Sequence, residues 1–551
     1  MRTRGPSPFL VLLLAACGDS VATPVTDGGP GPDASVFDAV APTDGGPPSS
    51  CEPFGHFAPP QATFTLPAAI NGSLSYPDVQ KSFPSVDWAT LDRLYIPAGK
   101  YKSVELGNLP TRDAKRPLVI TNLGGQVQVG PNDPGGTFIW AMNGGSNWVL
   151  SGRYDPDAKT GDAAFPGHRC GAYATSRGKY GFLSDDAFAK GQYLHMGLAV
   201  GSATSFELEF LEVTRSGFAG IRLLNARAAS DPPTPMANVR VHDTYVHDVD
   251  SEGVYFGWTG APPSNLFPGL QFYDNRIVRT GSEALQVQDL GDGSHVHHNV
   301  FAFGALHWLD NFGSYQDGGS QVLVREGNVE LDHNVTMGGA SVLLSFFSSP
   351  EAGDGNRNVV FHDNYFADTR NLGAYLNGSS TAPSSFTFRG NFFRGLDFAY
   401  LTVDPTSKDP GVVFGINGAN QAPILFDGNQ WEGSRALVSG LALNGTKANV
   451  TATANVTGPV TPMAFVASGY PDVPATRLSA WGPTATLAPG KPPIQYAVGD
   501  LVTYDAVLYR AKTANTGLVP PQHPEAWETL PLPTDDLRVA PTSPYAAMGV
   551  Q

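Results

Sequence analysis

Charge is scarce in this chain. Only 15% of its 551 residues are Asp, Glu, Lys or Arg, and acids outnumber bases, for a formal net charge of -16. No basic stripe interleaved with aromatic residues is visible, which argues against nucleic acid as a partner. A polyanionic substrate is disfavoured unless a local cationic spot or a bound cation receives it. Cysteine is rarer still, with three residues, so a disulfide scaffold is excluded. The longest apolar run near the start, LVLLLAA, is too short to span a bilayer as a stable helix. Glycine (63) and proline (47) are plentiful, and aromatic residues make up 11% of the chain. That mixture suits turn-rich β structure better than helices.

The N-terminus reads MRTRGPSPF, then LVLLLAA, then Cys17. Arg2 and Arg4 before a short apolar segment and small residues describe an export signal. Leu14-Ala15-Ala16-Cys17 resembles the lipobox of bacterial lipoproteins. The resemblance implies cleavage before Cys17, lipidation of that residue and a membrane attachment through the lipid alone. Gly18 after the cysteine implies the outer membrane and an extracellular-facing location. Of the other cysteines, Cys51 and Cys170, sequence does not decide whether they pair. Residues 17–50, with TDGG twice, form a disordered Asp/Gly/Pro linker that has nothing to bury.

A short phrase then recurs: VRVHDTYV (239–246), LQFYDNRI (270–277), SHVHHNVF (294–301), VELDHNVT (329–336), VVFHDNYF (359–366), FTFRGNFF (386–393) and ILFDGNQW (424–431), with a weaker copy, FELEFLEV, at 206–213. Alternation of apolar residues means strand. Asn275, Asn299, Asn334, Asn364, Asn391 and Asn429 take one turn position, where inward amides satisfy bent backbone and bond along a stack. The uneven spacings of 24, 35, 30, 27 and 38 residues fit a coil of strands with outward loops of varying length. A second strand follows at a steady offset, with inward pairs Ile221/Leu223, Val254/Phe256, Leu285/Val287, Leu344/Phe346, Ala374/Leu376 and Leu401/Val403. The pattern resembles the right-handed parallel β-helix proteins, the fold of pectate lyases. It implies an all-β solenoid over residues 51–470, a Pro-rich linker at 471–493, a small β-sheet module at 494–533 and a tail at 534–551.

Between the inward pairs stands one outward residue per coil: Arg222, Tyr255, Gln286, Ser345, Tyr375 and Thr402. In the coil after Asn299, a shortened turn puts His307 in this file; otherwise Asp310 takes the place. By the family resemblance this face carries the substrate groove. A uronide lyase must neutralise a carboxylate, take a proton and give one, so Arg222, Tyr255 and His307 are the catalytic candidates. Glu252, Glu283, Gln286, Asp310 and Tyr375 are the substrate-binding candidates, and Glu252 with Glu283 the pair that a hydrolase needs. The Gly-His-Gly of polygalacturonases is absent. His242, His295, His297, His298, His333 and His362 cluster near the Asn bend with Asp332 and Asp363, but polar residues are common before such a bend, and no metal is assigned. No cofactor is implied; calcium is compatible, though no Asp-rich ligand run occurs.

YAVGDLVTYDAVLYRAKTANTGLVPPQHPEAW (496–527) resembles the chitodextrinase-type (chitin-binding type 3) carbohydrate-binding modules. The matching residues are Tyr496, Gly499, Asp500, Val502, Tyr504, Tyr509 to Lys512, Gly517, Pro520 and Trp527. Tyr496, Tyr504, Tyr509 and Trp527 are its candidate sugar contacts, because aromatic faces stack on sugar C–H faces. The whole reads as a monomeric, surface-anchored polysaccharide lyase or hydrolase. A non-catalytic glycan-binding or adhesive β-helix is the alternative.

Overall fold

The computed structural model describes residues 57–550 apart from 68–71, 133–135, 168–176, 188–194, 226–233, 258–265, 310–317, 340–341, 348–354, 370–371, 378–383, 397–410, 418–420, 468–477 and 483–492. Cys17, Cys51, Cys170, Asp310, Thr402 and the whole of segments 1–16 and 17–50 lie outside these residues.

The chain winds as the expected all-β parallel β-helix. Each coil adds one strand to each of three parallel ladders. The first ladder runs from Thr63–Thr65 to Val450–Thr453, the second from Phe182–Asp185 to Val456–Thr457, and the third from Ser73–Tyr76 to Phe414–Ile416. In the first ladder Val241, Phe272, Val296, Leu331, Phe361, Phe388 and Phe426 are successive register partners and all point into the core. Like side chains therefore stack: Phe361 and Phe388 lie parallel, with centroids 4.7 Å apart.

The corner between the first and second ladders is where the Asn column sits. Each Asn Nδ2 donates to the Oδ1 of the next: Asn275 to Asn299 at 3.0 Å, Asn299 to Asn334 at 3.0 Å, Asn334 to Asn364 at 3.1 Å, Asn364 to Asn391 at 3.0 Å and Asn391 to Asn429 at 2.9 Å. The same Nδ2 also donates to a core-strand carbonyl, as from Asn364 to Leu331 O at 2.9 Å, while the Oδ1 accepts a backbone N–H. Asn455 continues the column, accepting from Asn429 at 3.0 Å. Its phrase, VTATANVT, fits the pattern, although as Asn-Val-Thr it is also a glycosylation sequon. The residue before each Asn has positive φ: Asp274, His298, His333 and Asp363, then Gly390 and Gly428. Asp, Asn and His tolerate this region better than most side chains, and glycine enters it freely.

The second ladder's outer face is covered. Tyr245, Val278, Val300, Val335 and Tyr365 pack beneath Leu537, Val539, Tyr545, Met548 and Val550. Residues 534–551, read as a tail, thus contain the strand Asp536–Val539, which pairs antiparallel with Phe465–Ala467. Asp535 fastens the segment. Its carboxylate accepts from Arg279 Nη1 and Nη2, both at 2.7 Å, from Arg177 at 3.0 Å and from the Tyr245 hydroxyl. Arg276 Nη1 donates to its carbonyl at 2.8 Å. Burial opposes this charge, but Arg279 outweighs burial and holds the Asp535 carboxyl at about 2. The four-stranded C-terminal sheet joins Leu478–Ala480, Leu501–Tyr504, Val507–Ala511 and Trp527–Leu530.

Two outcomes follow. Asn364→Ala leaves buried partners unpaired on both sides and lowers stability by about 1–3 kcal/mol, read from denaturant midpoints; an unchanged midpoint would show the column to be dispensable. Asp535→Ala costs about 3–5 kcal/mol, because it strands Arg279 in a buried site, and makes 534–550 susceptible to limited proteolysis. Because Asp535 titrates lower folded than unfolded, its stabilisation is present above the ordinary Asp range near 3.9 and is lost as pH falls through about 2. Acid titration of the melting temperature checks this against Asp535→Asn.

Candidate functional site

The third ladder bears out the expected file only in part. Arg222, Tyr255, Gln286, Gln321, Ser345 and Tyr375 are consecutive register partners. Gln321, not His307, occupies the coil after Asn299, because the loop there is longer than assumed and the rung is Ser320–Val324. Leu401 and Val403 lie outside the described residues, and the rung paired with Ala374–Leu376 is Phe414–Ile416. Arg222, Tyr255, Gln286 and Gln321 are all buried. The Arg222 guanidinium lies 4.1 Å from the Tyr255 ring centroid and donates to the Tyr255 carbonyl at 3.2 Å. Burial pulls its pKa down. Glu252 and Glu283 are buried too. Ser251 donates to Glu252 at 2.8 Å and Gln321 donates to Glu283, and burial raises the Glu252 carboxyl above its usual range. Arg222 packs on Tyr255 in the interior while His307 is not in this file, so the lyase trio is not assembled, and the two glutamates are not exposed acids. Tyr375 is half-buried.

His307 stands elsewhere. It lies on a short 3-10 turn, Leu306–Leu309, whose start is tied back by Ala305 N–H to the Ser282 carbonyl (2.6 Å) and His307 N–H to that of Gly281 (3.0 Å). Gly281 is required for this approach: a Cβ there would sit 2.4 Å from His307 Cδ2. The result places His307 Nε2 3.1 Å from Asp250 Oδ1, with both side chains partly open to solvent.

The C-terminal sheet docks against this turn. Ala305 packs into its core with Tyr496, Tyr509 and Trp527. These three aromatics are therefore buried structure rather than sugar platforms. Tyr496 and Trp527 meet edge to face at 5.2 Å, and the Trp527 indole donates to the Leu518 carbonyl at 2.8 Å. With so small a sheet, its largest rings are the only means of filling a core. Tyr504 differs. It ends a strand before the two-residue turn Asp505–Ala506, where both residues have positive φ as a type I′ hairpin demands. Half-buried, it meets Trp481 edge to face at 5.3 Å, and Trp481 is placed by its N–H bond to the Thr503 carbonyl at 2.9 Å.

Between the two bodies lies a cleft of about 240 Å³. The β-helix contributes Asp248, Asp250, Arg279 and His307, and the C-terminal sheet Trp481, Tyr504 and Asp505. Two residues singled out from sequence, His307 and Tyr504, thus share one site, whereas Arg222 and Tyr255 are absent from it. Trp481, Asp250 and Asp505 had not been singled out. Trp481 sits in a Pro-rich stretch with no periodicity to betray it, and Asp505 carries only a hairpin signal. Arg279 is committed to Asp248 (2.7 and 2.9 Å) and Asp535, and it holds Asp248 well below the usual carboxylate range despite burial. The remaining ionisable groups of the lining are the acids Asp250 and Asp505 and the imidazole of His307.

A second polar cluster lies on the outer face of the first ladder. His242, Tyr273 and His297 stack at 4.7 and 5.1 Å. Burial opposes charge on His242, but Asp243 and Glu207, each at 2.8 Å, outweigh it and push the imidazole up to about 10. Burial, then His295 and His298, pushes His297 down to about 3. His298 stacks parallel on His333 at 4.9 Å, and Asp332 accepts from His295 and His333.

No protein-family model matches the chain, and no curated protein matches it. Solved structures resemble it distantly. Full-length tailspike protein 2 from Escherichia coli O157:H7 bacteriophage CAB120 is 10% identical, with a TM-score of 0.39 over 74% of this chain and 46% of that one. Pectate lyase Pel9A is 9% identical, with a TM-score of 0.36 over 79% and 88%. An alginate lyase from Paenibacillus is 13% identical, with a TM-score of 0.36 over 65% and 99%. The chain thus spans less than half the length of the tailspike it matches. The likeness is one of winding; the residues lining the cleft are read from their own chemistry.

Proposed function

We propose that the protein binds and hydrolyses a neutral or amino-sugar polysaccharide in the cleft between the β-helix and the C-terminal sheet. The observation that carries the reading is the convergence of Trp481 and Tyr504 with Asp250, His307 and Asp505 around one cavity. Aromatic rings supply stacking area for a sugar at little entropic cost, and the acids supply hydroxyl acceptors. Hydrolysis needs one carboxyl group to protonate the leaving oxygen and another to activate water or attack the anomeric carbon. Asp250, next to His307, and Asp505 on the facing turn are the two candidates. Lyase chemistry on a uronide is less well supported. It requires a cation for the substrate carboxylate, and the one guanidinium in the lining is already engaged by Asp248 and Asp535. Acidic walls raise the cost of an anionic sugar further.

On this reading the C-terminal sheet is part of the binding site, not a separate targeting module. Export, a lipid anchor on Cys17 and a surface location belong to the proposal through the N-terminal pattern alone. One observation speaks for binding without turnover as a second reading: Asp248 and Arg279 of the lining are bonded to each other, and Arg279 also to Asp535.

A panel of neutral, amino-sugar and uronide polysaccharides offered to the purified chain tests this. New reducing ends without ultraviolet absorbance from an unsaturated uronide support the reading; that absorbance overturns it in favour of a lyase. Asp250→Asn lowers turnover by about 100-fold or more. Trp481→Ala with Tyr504→Ala weakens binding by about 1–3 kcal/mol with little change in melting temperature. Binding with neither product supports the adhesive alternative.

A further inference from the structure

The polar face of the first ladder is not used by the cleft, and it carries a ligand set of its own. Asp332 and His333 stand on one coil and His362 on the next, where Asp332 and His362 are register partners. One ligand atom from each of the three lies within 4.8 Å of the others. Asp332 is buried beneath them, whereas the His333 and His362 side chains are 27% and 12% exposed, so an ion there meets solvent on one side. The surroundings orient the imidazoles. Asp363 Oδ2 engages His362 Nδ1 at 2.8 Å, leaving Nε2 to face outward toward Glu330 at 2.6 Å. A carboxylate holding one ring nitrogen so that the other is presented is the arrangement that supports metal-ligating histidines. The flat face of His298 against His333 restricts that ring as well.

We propose that Asp332, His333 and His362 bind one divalent transition-metal ion of the zinc class, with Glu330 at the margin and a remaining position open to water. Two nitrogens and one carboxylate select zinc, cobalt or nickel over calcium or magnesium, which take oxygen sets. Ligands about 2.1 Å from an ion lie roughly 3.4 Å apart in a tetrahedron, so binding draws the three atoms together by side-chain rotation. The ion joins successive coils across the corner that the Asn column supports from within. The other three-residue cluster of this type among the described residues, Glu207, Glu209 and His242, is less suitable. His242 and Glu209 are closed off from solvent, and Glu209 lies against buried Arg153.

The test uses the full chain stripped with chelator and titrated with zinc by calorimetry, and with cobalt(II) by its visible absorption. The expected result is one equivalent bound, visible cobalt bands of a nitrogen- and oxygen-ligated ion, and a melting temperature that rises with zinc. His362→Gln and His333→Gln, checked for an unchanged fold by circular dichroism, weaken binding at least 100-fold, while His242→Gln and His307→Gln leave it intact. If either of the first two variants fails to fold, Asp332→Asn takes its place. Absence of stoichiometric binding, or binding lost in His242→Gln and kept in His362→Gln, overturns the proposal. Because the metal ligands share no residue with the cleft, failure here leaves the glycan reading standing, and the reverse holds too.

Discussion

Everything in this molecule depends on what happens at one bend per coil. A parallel solenoid must turn its backbone sharply, and every turn turns peptide groups away from their ladder partners, inside a core where water does not reach them. The Asn column meets that demand. Each amide gives one proton to the next amide and one to a core-strand carbonyl, and its oxygen takes protons from the backbone and side chain of the preceding coil. Because one amide serves two coils, the bonding is also a register constraint. A strand that slipped by one residue would carry its Asn out of line and its phenylalanines to the wrong face.

With the corners held, the three outer faces take on different duties. The second ladder's face is apolar and is covered by the C-terminal segment through Leu537, Val539 and the Asp535 clasp. The third ladder's face holds buried polar groups, with Arg222 bonded to the Tyr255 carbonyl and Gln321 to Glu283. The first ladder's face carries the histidines, His242 buried and His295, His297, His298, His333 and His362 partly open to solvent. The cleft lies beside the 3-10 turn, and its two walls come from sequence more than 150 residues apart, as His307 and Trp481 show.

What was legible in the sequence was whatever repeats. The Asn positions, the inward pairs from Ile221/Leu223 through Leu285/Val287 and the file of outward residues from Arg222 through Gln286 follow from a period and an offset, and they are found where that reasoning puts them. Asn455 obeys the same rule. His307 was misplaced because loop length is not periodic: the eight residues beyond Leu309 that lie outside the described set broke the count. Burial of Arg222 and Tyr255 was also hidden, since alternation tells which way a side chain points but not what comes to rest on it. For the C-terminal sheet, aromatic residues signalled both core and binding surface. Only packing separates Tyr496, Tyr509 and Trp527, which fill the interior, from Tyr504, which reaches the cleft.

The clasp at Asp535 has a consequence for how such a chain can change length. Its ring of donors spans Arg177, Tyr245, Arg276 and Arg279, while the same short segment reaches Tyr365 through Tyr545 several coils further along. The segment therefore acts as a ruler laid along the solenoid. Duplication or deletion of a winding between those marks would put the two ends of the ruler out of step, whereas growth beyond either mark would not be measured by it. Insertions that enlarge the protein are confined to its outward loops and its two ends.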